Sequence, residues 1–456
     1  MSETSTAKTQ DRKSTDQVSR VVDQYFKQRN GELLIGNIPI SALAKQFGTP
    51  SFIYDKSIIQ RKIEEVHNVL PNRFNLYYSI KANPNQSILK CFLDKGCGLE
   101  IASQGELSQA LQSGCISKQI IFAGPGKTFE ELKLAVQSQI GEIHVESIDE
   151  AHQLNSIGES LGLTVPIALR INPTDSSGGA MQMGGKPSPF GIDEESIDDV
   201  CDTIKTLRNI RMQGVHLFMG TQILDAKTLE KQYRRCIAIA RFIAKTHQFK
   251  IETIDFGGGW GTPYFPHENE LDLRHLKTIL EKIDTELSAD ELLSGCNAVL
   301  EPGRFLINEA GVYLTQVTRV KKSRGKTFVI LDGGMHHHLA ASGNLGQTIK
   351  RNYPIAILNR LSELKTHSAE VVGPLCTPLD CLGRNVQLPK VEVGDLFGVF
   401  LSGAYARTSS PTGFLSHLLP PEILVDGENA ALIRRRGNSE DFLQDQIAPT
   451  LPNPIP

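Results

Sequence analysis

A lysine, an acid and two glycine-containing turns carry the chemistry legible in this chain. Lys81 lies in YYSIKANPN, residues 77–85. The run FNLYYSI before it suits a strand from Phe74 to Ile80, because such side chains pack well on a pleated surface. Asn83-Pro84-Asn85 marks a turn, since proline fixes φ and asparagine bonds locally. Then QSILKCFLDKG puts Ile88, Leu89, Phe92 and Leu93 on one helical face. Lys81 therefore stands where a strand hands over to a helix, the rim that holds the chemistry in a βα barrel. A strand-end lysine ordinarily faces solvent, so its meaning depends on the rest of the chain.

Two further stretches give it one. DFGGGWG, residues 255–261, follows the strand-like IETI. There Gly257, Gly258 and Gly259 expose backbone N–H groups and let an anion approach, although the turn lacks the Gly-Lys-Ser/Thr ending of a P-loop. EPGR follows the apolar NAVL and supplies another N–H at Gly303, a cation at Arg304 and an acid at Glu301. An acid at a strand end in a barrel mouth needs a partner, and a protonated pyridine nitrogen is one. Phosphate, aldehyde and ring nitrogen together describe pyridoxal 5'-phosphate, which needs a lysine for its imine and an acid or arginine near its ring nitrogen.

The elements that must position these residues follow a pattern. The strand-like runs are SFIYD, FNLYYSI, GLEIAS, IIFAGP, EIHVES, PIALRIN, MQGVHLF, IETIDFG and NAVLEPG. Amphipathic segments such as FEELKLAVQSQ and EKQYRRCIAIARFIAKTHQ separate them. Strands alternating with helices imply parallel pairing, and about eight pairs over residues 50–305 suit a TIM-like (β/α)8 barrel. An open doubly wound sheet competes, but the first turn has no GxGxxG. Residues 306–440 turn β-rich with short turns, which predicts a mainly antiparallel β domain to which residues 31–49 contribute an early strand. Residues 1–30 form a polar, flexible lead and residues 441–456 a proline-rich tail.

Composition narrows the partners. The chain has 456 residues, 48 basic and 51 acidic side chains and a net charge of −3, which favours neither nucleic acid nor an anionic membrane surface. No apolar run is long enough to span a bilayer, and the N-terminus lacks the apolar segment of a secretory signal. Eight scattered cysteines without a second close pair suit a reduced, cytoplasmic protein in which most are buried small hydrophobes.

Taken together, these motifs resemble the alanine-racemase-like (fold type III) pyridoxal-phosphate decarboxylases, with diaminopimelate and ornithine decarboxylases as the best-known members. The resemblance spans roughly residues 31–437. It implies an imine on Lys81, phosphate loops in DFGGGWG and EPGR, Glu301 at the pyridine nitrogen and Arg304 beside the phosphate. It also implies that Thr221, in HLFMGTQ, adds a hydroxyl to the phosphate, and that Tyr405, in SGAY, reaches the cofactor in its own subunit. Cys376, in GPLCTPLD, is expected to cross a head-to-tail dimer interface into the neighbouring site, so that the active sites are shared.

Three departures matter. Phe218 stands where the family commonly has a histidine stacked on the ring; it can stack but carries no proton. His216 then becomes a core or supporting histidine. The acid that grips a distal amino group after the cysteine is missing, for Thr377 and Pro378 follow Cys376. Thr377, Asp380 and Tyr353 are the substrate-side candidates, with Asp380 as a compensating acid. Thirdly, the long segment from Asp175 to Glu195, with DGGMHHHLAASGNLGQTIKRNYP, resembles the butirosin-biosynthesis decarboxylase of glutamate bound to an acyl carrier protein, and exosortase-associated decarboxylase-like proteins. His336, His337 and His338 cannot all point one way on a regular element, so no metal site is expected there; a loop near the substrate entrance with one histidine inward is.

The expected function is decarboxylation, a carbon–carbon lyase reaction at the α-carbon of an amino acid whose side chain is conjugated to a carrier or small metabolite. The alternatives are free diaminopimelate, ornithine or lysine as substrate, an amino-acid racemase, and a pyridoxal-phosphate-binding protein without chemistry.

Overall fold

The computed structural model describes residues 16–174, 187–345, 347 and 349–447, and the backbone of residues 181 and 182. Eight parallel strands close into a barrel: β1 (Phe74–Ser79), β2 (Gly98–Ile101), β3 (Ile120–Phe122), β4 (Glu142–Val145), β5 (Val165–Asn172), β6 (Ile210–Leu217), β7 (Thr253–Asp255) and β8 (Asn297–Leu300). Each pairs with the next, and β8 pairs back onto β1. The connecting helices begin at small polar caps: Asn85 before Gln86–Leu93, Ser103 before Gln104–Gln112, Thr128 before Phe129–Gln137 and Ser147 before Ile148–Leu161. A side-chain oxygen at that position satisfies N–H groups that the first helical turn leaves open. The helical face predicted after Lys81 is the buried one, with Ile88, Leu89 and Phe92 in the core and Leu93 packed against it.

The second domain is a mainly antiparallel sheet whose hub is β9 (Gly311–Ser323). Two of its pairings are parallel, Lys326–Leu331 with His367–Val372 and Ser51–Asp55 with Glu422–Asp426. The second of these corrects the expectation for SFIYD. That run is not the first barrel strand; it lies between β9 and Glu422–Asp426, and the barrel begins at Phe74. All five of its residues are buried, and a short apolar run buried on both faces does not reveal which sheet it joins.

Two more expectations for the N-terminal region change. Within the lead, Gln17–Tyr25 is a helix capped by Asp16. Val18, Val21 and Val22 are buried at helical spacing, and the Gln17 side-chain amide donates to the Pro263 carbonyl at 3.0 Å. Its four apolar positions sit among polar residues, which hid the pattern. The early strand Glu32–Ile35 does not enter the nine-stranded β-domain sheet. It forms a small sheet with Lys27–Arg29 and Ile38–Pro39, tied to the β domain where the Leu33 N–H donates to the Leu358 carbonyl at 2.9 Å. Of the proline-rich tail, residues from 448 on lie outside the described residues, as do residues 1–15 of the lead.

Seven of the eight cysteines are buried and free, and only Cys376 is exposed. Among the described residues, no helix is long and apolar enough to cross a membrane.

Candidate active site

The C-terminal ends of the barrel strands converge on a cavity of about 380 Å³. Strand β1 runs straight into a short 3₁₀ turn, Ile80–Ala82, which aims Lys81 into it. The register of β1 and β2 sets Ser79 opposite Glu100. The Lys81 ammonium donates to both Glu100 oxygens at 3.0 Å, and the Ser79 hydroxyl also donates to Glu100. Burial works against the charge on Lys81, but Glu100, Tyr405 and Glu301 outweigh it and raise its pKa above the ordinary lysine value. Glu100 is thus the group placed to take a proton from the amine when it must become neutral to react. Behind it, burial and the nearby Glu100 charge raise the Glu106 carboxyl to about 7.

At one end of the cavity lie Thr221, Gly258, Gly259, Gly303 and Arg304. Only glycine fits at Gly258, where a Cβ would sit 2.3 Å from the Glu301 carbonyl oxygen. The close approach of these turns leaves N–H groups lining the wall. Gly257 does not line it. Its N–H is spent on Asp255 Oδ1 at 2.7 Å, and its carbonyl accepts from the Glu301 N–H, so it holds the two turns together instead of meeting an anion. The Arg304 guanidinium donates to the Tyr264 hydroxyl at 2.6 Å and packs 4.7 Å from the Tyr405 ring centroid. Tyr405 comes from the β domain, anchored where its N–H donates to the Ala82 carbonyl at 2.9 Å.

Glu301 and His216 line the cavity floor, and Phe218 its side. His216 stacks on His144 with ring centroids 4.2 Å apart, and its Nε2 is 3.6 Å from Glu301. Burial, then His144 and Arg170, keep His216 neutral by holding its pKa well below the usual value. Burial, then Asp255 and Glu100, push Glu301 well above the ordinary carboxylate range. Beyond Lys81, Arg170 is fixed by Glu146 at 2.7 Å and lies 5.1 Å from the Phe190 ring centroid, and both Arg170 and Phe190 face the cavity.

The candidates on the substrate side fall elsewhere. Asp380 is buried with one oxygen accepting from the Met335 N–H at 2.7 Å and the other from the Leu375 N–H at 2.9 Å. It shapes the loop that carries Cys376 and does not reach the cavity. Thr377 closes the same turn, its hydroxyl accepting from the Leu379 N–H at 3.3 Å. Tyr353 is buried behind Arg304, 4.7 Å from the Tyr264 ring. Cys376 is exposed on its own chain, away from its own cavity. The three histidines are not at an entrance: all are buried, His337 beside the Tyr313 hydroxyl at 3.0 Å and His338 beside the Ser402 hydroxyl at 3.0 Å. Ten residues of the Asp175–Glu195 segment, Gly178, Gly179, Gly184 and Gly185 among them, lie outside the described residues, but Met181–Gln182 pairs with Gly220–Thr221 at the cavity rim.

The donor set suits pyridoxal phosphate. Glu301 Oε1 and Arg304 Nε are buried without a partner, a state that an N–H and an anion would relieve. Residues 56–308 match the family model for the pyridoxal-dependent decarboxylase, pyridoxal binding domain. The chain belongs to the pyridoxal-dependent decarboxylases. It is similar to the L-glutamyl-[BtrI acyl-carrier protein] decarboxylase of Niallia circulans, at 38% identity over 90% of this chain and 96% of the relative. A second relative is the 2-[(L-alanin-3-ylcarbamoyl)methyl]-2-hydroxybutanedioate decarboxylase of Staphylococcus aureus, at 31% identity over 82% of this chain and 93% of the relative. Among solved structures, diaminopimelate decarboxylase from M. jannaschii in complex with L-lysine superposes with a TM-score of 0.84 at 27% identity, covering 93% of this chain and 98% of that one. The protein is a pyridoxal-phosphate-dependent amino-acid decarboxylase with a TIM-like barrel and a separate β domain.

Glu100 sits between Leu99 and Ile101 in a buried strand, and a lone acid in such a run needs a partner, as Glu301 does. Tyr264, in the loop after the glycines, had no such signal.

Proposed function

We propose that this decarboxylase takes an amino acid whose side chain is joined to a larger group, and that it works as a homodimer with shared sites. The observation that carries the reading is the commitment of Asp380. Both its oxygens are taken by backbone N–H groups, so the loop following Cys376 has no carboxylate left for a distal ammonium. A closed pocket that left such an ammonium unpaired would bind it poorly. Similarity to decarboxylases named for a carrier-linked glutamate and for a modified alanine supports the reading. So does the rim, where Met181–Gln182 of the inserted segment pairs with Gly220–Thr221 and Phe190 of the same segment lines the cavity. An acyl carrier protein is the partner this implies.

Bound pyridoxal phosphate supplies the electron sink for the bond broken at the α-carbon. Lys81 is the residue to hold it, with Glu100 accepting the proton the amine must lose. The N–H groups of Gly258, Gly259 and Gly303, the Thr221 hydroxyl and the Arg304 guanidinium would hold the phosphate, with Tyr405 closing that end. Phe218, which lines the cavity, would pack against the ring. Glu301 holds a proton at the ring nitrogen. The carboxylate departs as carbon dioxide, and the proton that replaces it comes from the thiol of Cys376 of the partner subunit.

The test compares carbon dioxide release from free lysine, ornithine, diaminopimelate and glutamate with release from glutamate linked to an acyl carrier protein and from small-metabolite conjugates. Conjugates are expected to react faster, and truncating them should lower turnover as well as affinity, because remote binding energy helps orient the reacting bond. Free diaminopimelate or ornithine turning over with kcat/KM above ~10⁴ M⁻¹s⁻¹, while conjugates stay inert, would overturn the reading.

A further inference from the structure

Behind Glu301 lies a buried carboxylate that no step above uses. Strands β7 and β8 pair with Asp255 opposite Val299, so Glu301, two residues on, projects into the barrel from the same face as Asp255. Counted as two carboxylates, the pair leaves Asp255 Oδ2 and Glu301 Oε1 buried with no donor. Two adjacent, buried, unpartnered anionic oxygens are costly, and one proton between them removes both faults, since a carboxyl then donates to its neighbour.

The surroundings decide where that proton rests. Asp255 Oδ1 accepts the Gly257 N–H at 2.7 Å, and Oδ2 lies 3.6 Å from His144 Nε2. Glu142, 3.2 Å from the same nitrogen, stands behind His144, and Gln213 donates to its other oxygen at 2.9 Å. Glu301 faces the neutral His216, the Glu100–Lys81 pair and the cavity, while the Tyr77 phenol lies near both acids. The Gly257 N–H therefore favours the charged form of Asp255, with His144 Nε2 close to its other oxygen, whereas Glu301 Oε1 has no donor.

We propose that Asp255 is a positioning residue whose charge holds one proton at Glu301 in the cofactor-free chain and, once the cofactor is bound, at the ring nitrogen beside Glu301. The proton leaves a Glu301 oxygen and bonds to the nitrogen. Glu301 becomes the carboxylate that accepts from it, Asp255 stays anionic, and solvent supplies nothing. The acidities run the same way: burial raises Asp255 to about 6, whereas burial and Asp255 together take Glu301 well above the carboxylate range.

Two measurements test this. Infrared spectra of the full chain stripped of cofactor, at neutral pH, should contain a protonated-carboxyl stretch that is absent from E301Q. It should also be absent from D255N, whose amide still accepts from Gly257 but lets Glu301 ionise. In the holoenzyme, nitrogen-15 resonances of ring-labelled pyridoxal phosphate should show D255N losing the ring proton at a pH lower by about one unit or more, since removing a nearby negative charge destabilises the protonated form. D255E, which restores the charge, should move that pH back toward the wild-type value. An E301Q carboxyl spectrum identical to wild type, or a D255N nitrogen that titrates as wild type does, overturns the proposal. If D255N does not fold, the comparison of wild type with E301Q decides alone. Failure of the cofactor assignment itself would be distinguishable, for no bound-cofactor resonance would then be seen.

Discussion

Lys81 alone could have been a solvent-facing lysine; Glu100 changes that. A lysine held at 3.0 Å by both oxygens of a buried carboxylate, inside a cavity, is charged until something takes its proton. K81A should therefore lose the near-visible absorption of bound pyridoxal phosphate, and borohydride reduction with peptide mapping should find the pyridoxyl group on Lys81. The same group on another lysine would sink the assignment. Glu301 was legible for a similar reason, an acid at the end of the apolar run NAVL. E301Q should keep the cofactor but slow decarboxylation at least ~10-fold, because an electrostatic contact made at the reacting centre commonly contributes more than ~1.4 kcal/mol. Single-turnover carbon dioxide release checks it, and an unchanged rate removes the role. Asp380 shows where residue types mislead. An acid near the expected cysteine looks like a substrate ligand until its two oxygens are seen to be occupied by Met335 and Leu375.

At the scale of elements, periodicity gave the eight barrel strands and their helices, because each alternation leaves a local mark. It could not give the placement of Ser51–Asp55, since a strand buried on both faces carries no sign of its neighbours. Nor could it place Gly333–Leu339, which folds inward and buries three histidines. His336 has neither ring nitrogen bonded, and its ring packs at a tilt, with centroids 3.7 Å from His337 and 4.7 Å from His417. Burial, and then His417, lower its pKa to about 4. An unfolded histidine titrates near ~6.5, so between these values the unfolded chain binds the extra proton. His336 therefore costs nothing above that range and lowers stability as pH falls through it, by up to about 1.4 kcal/mol per pH unit. H336F, which keeps an aromatic ring and removes the titration, should flatten the loss of stability in denaturant melts between neutral pH and about 4. His337 and His338 keep their own share of the slope, as burial lowers them to about 2 and about 3. Equal slopes in wild type and H336F would contradict the account.

For the whole molecule, the position of Cys376 is the informative fact. It is the only exposed cysteine, it sits outside its own chain's cavity, and Asp380 holds its loop in shape from behind. Leu379, in the same loop, is an exposed apolar side chain as well. A thiol meant for a neighbour's site would stand in such a place, and one that served its own site would not. The consequence is a complementation experiment. If the sites are shared as proposed, K81A lacks the lysine of every site, and C376A lacks the thiol given to every site. Mixed and allowed to exchange, they form hybrids in which one site receives both defects and the other receives neither. Each hybrid of two subunits then has one repaired site, so random assortment of equally stable subunits should recover about a quarter of wild-type activity. Mass spectrometry would establish that exchange occurred, and C376A must be nearly inactive alone for the comparison to hold. Hybrids that form and stay inactive would mean that Lys81 and Cys376 do not meet across an interface, and the source of the replacing proton would have to be sought within one chain.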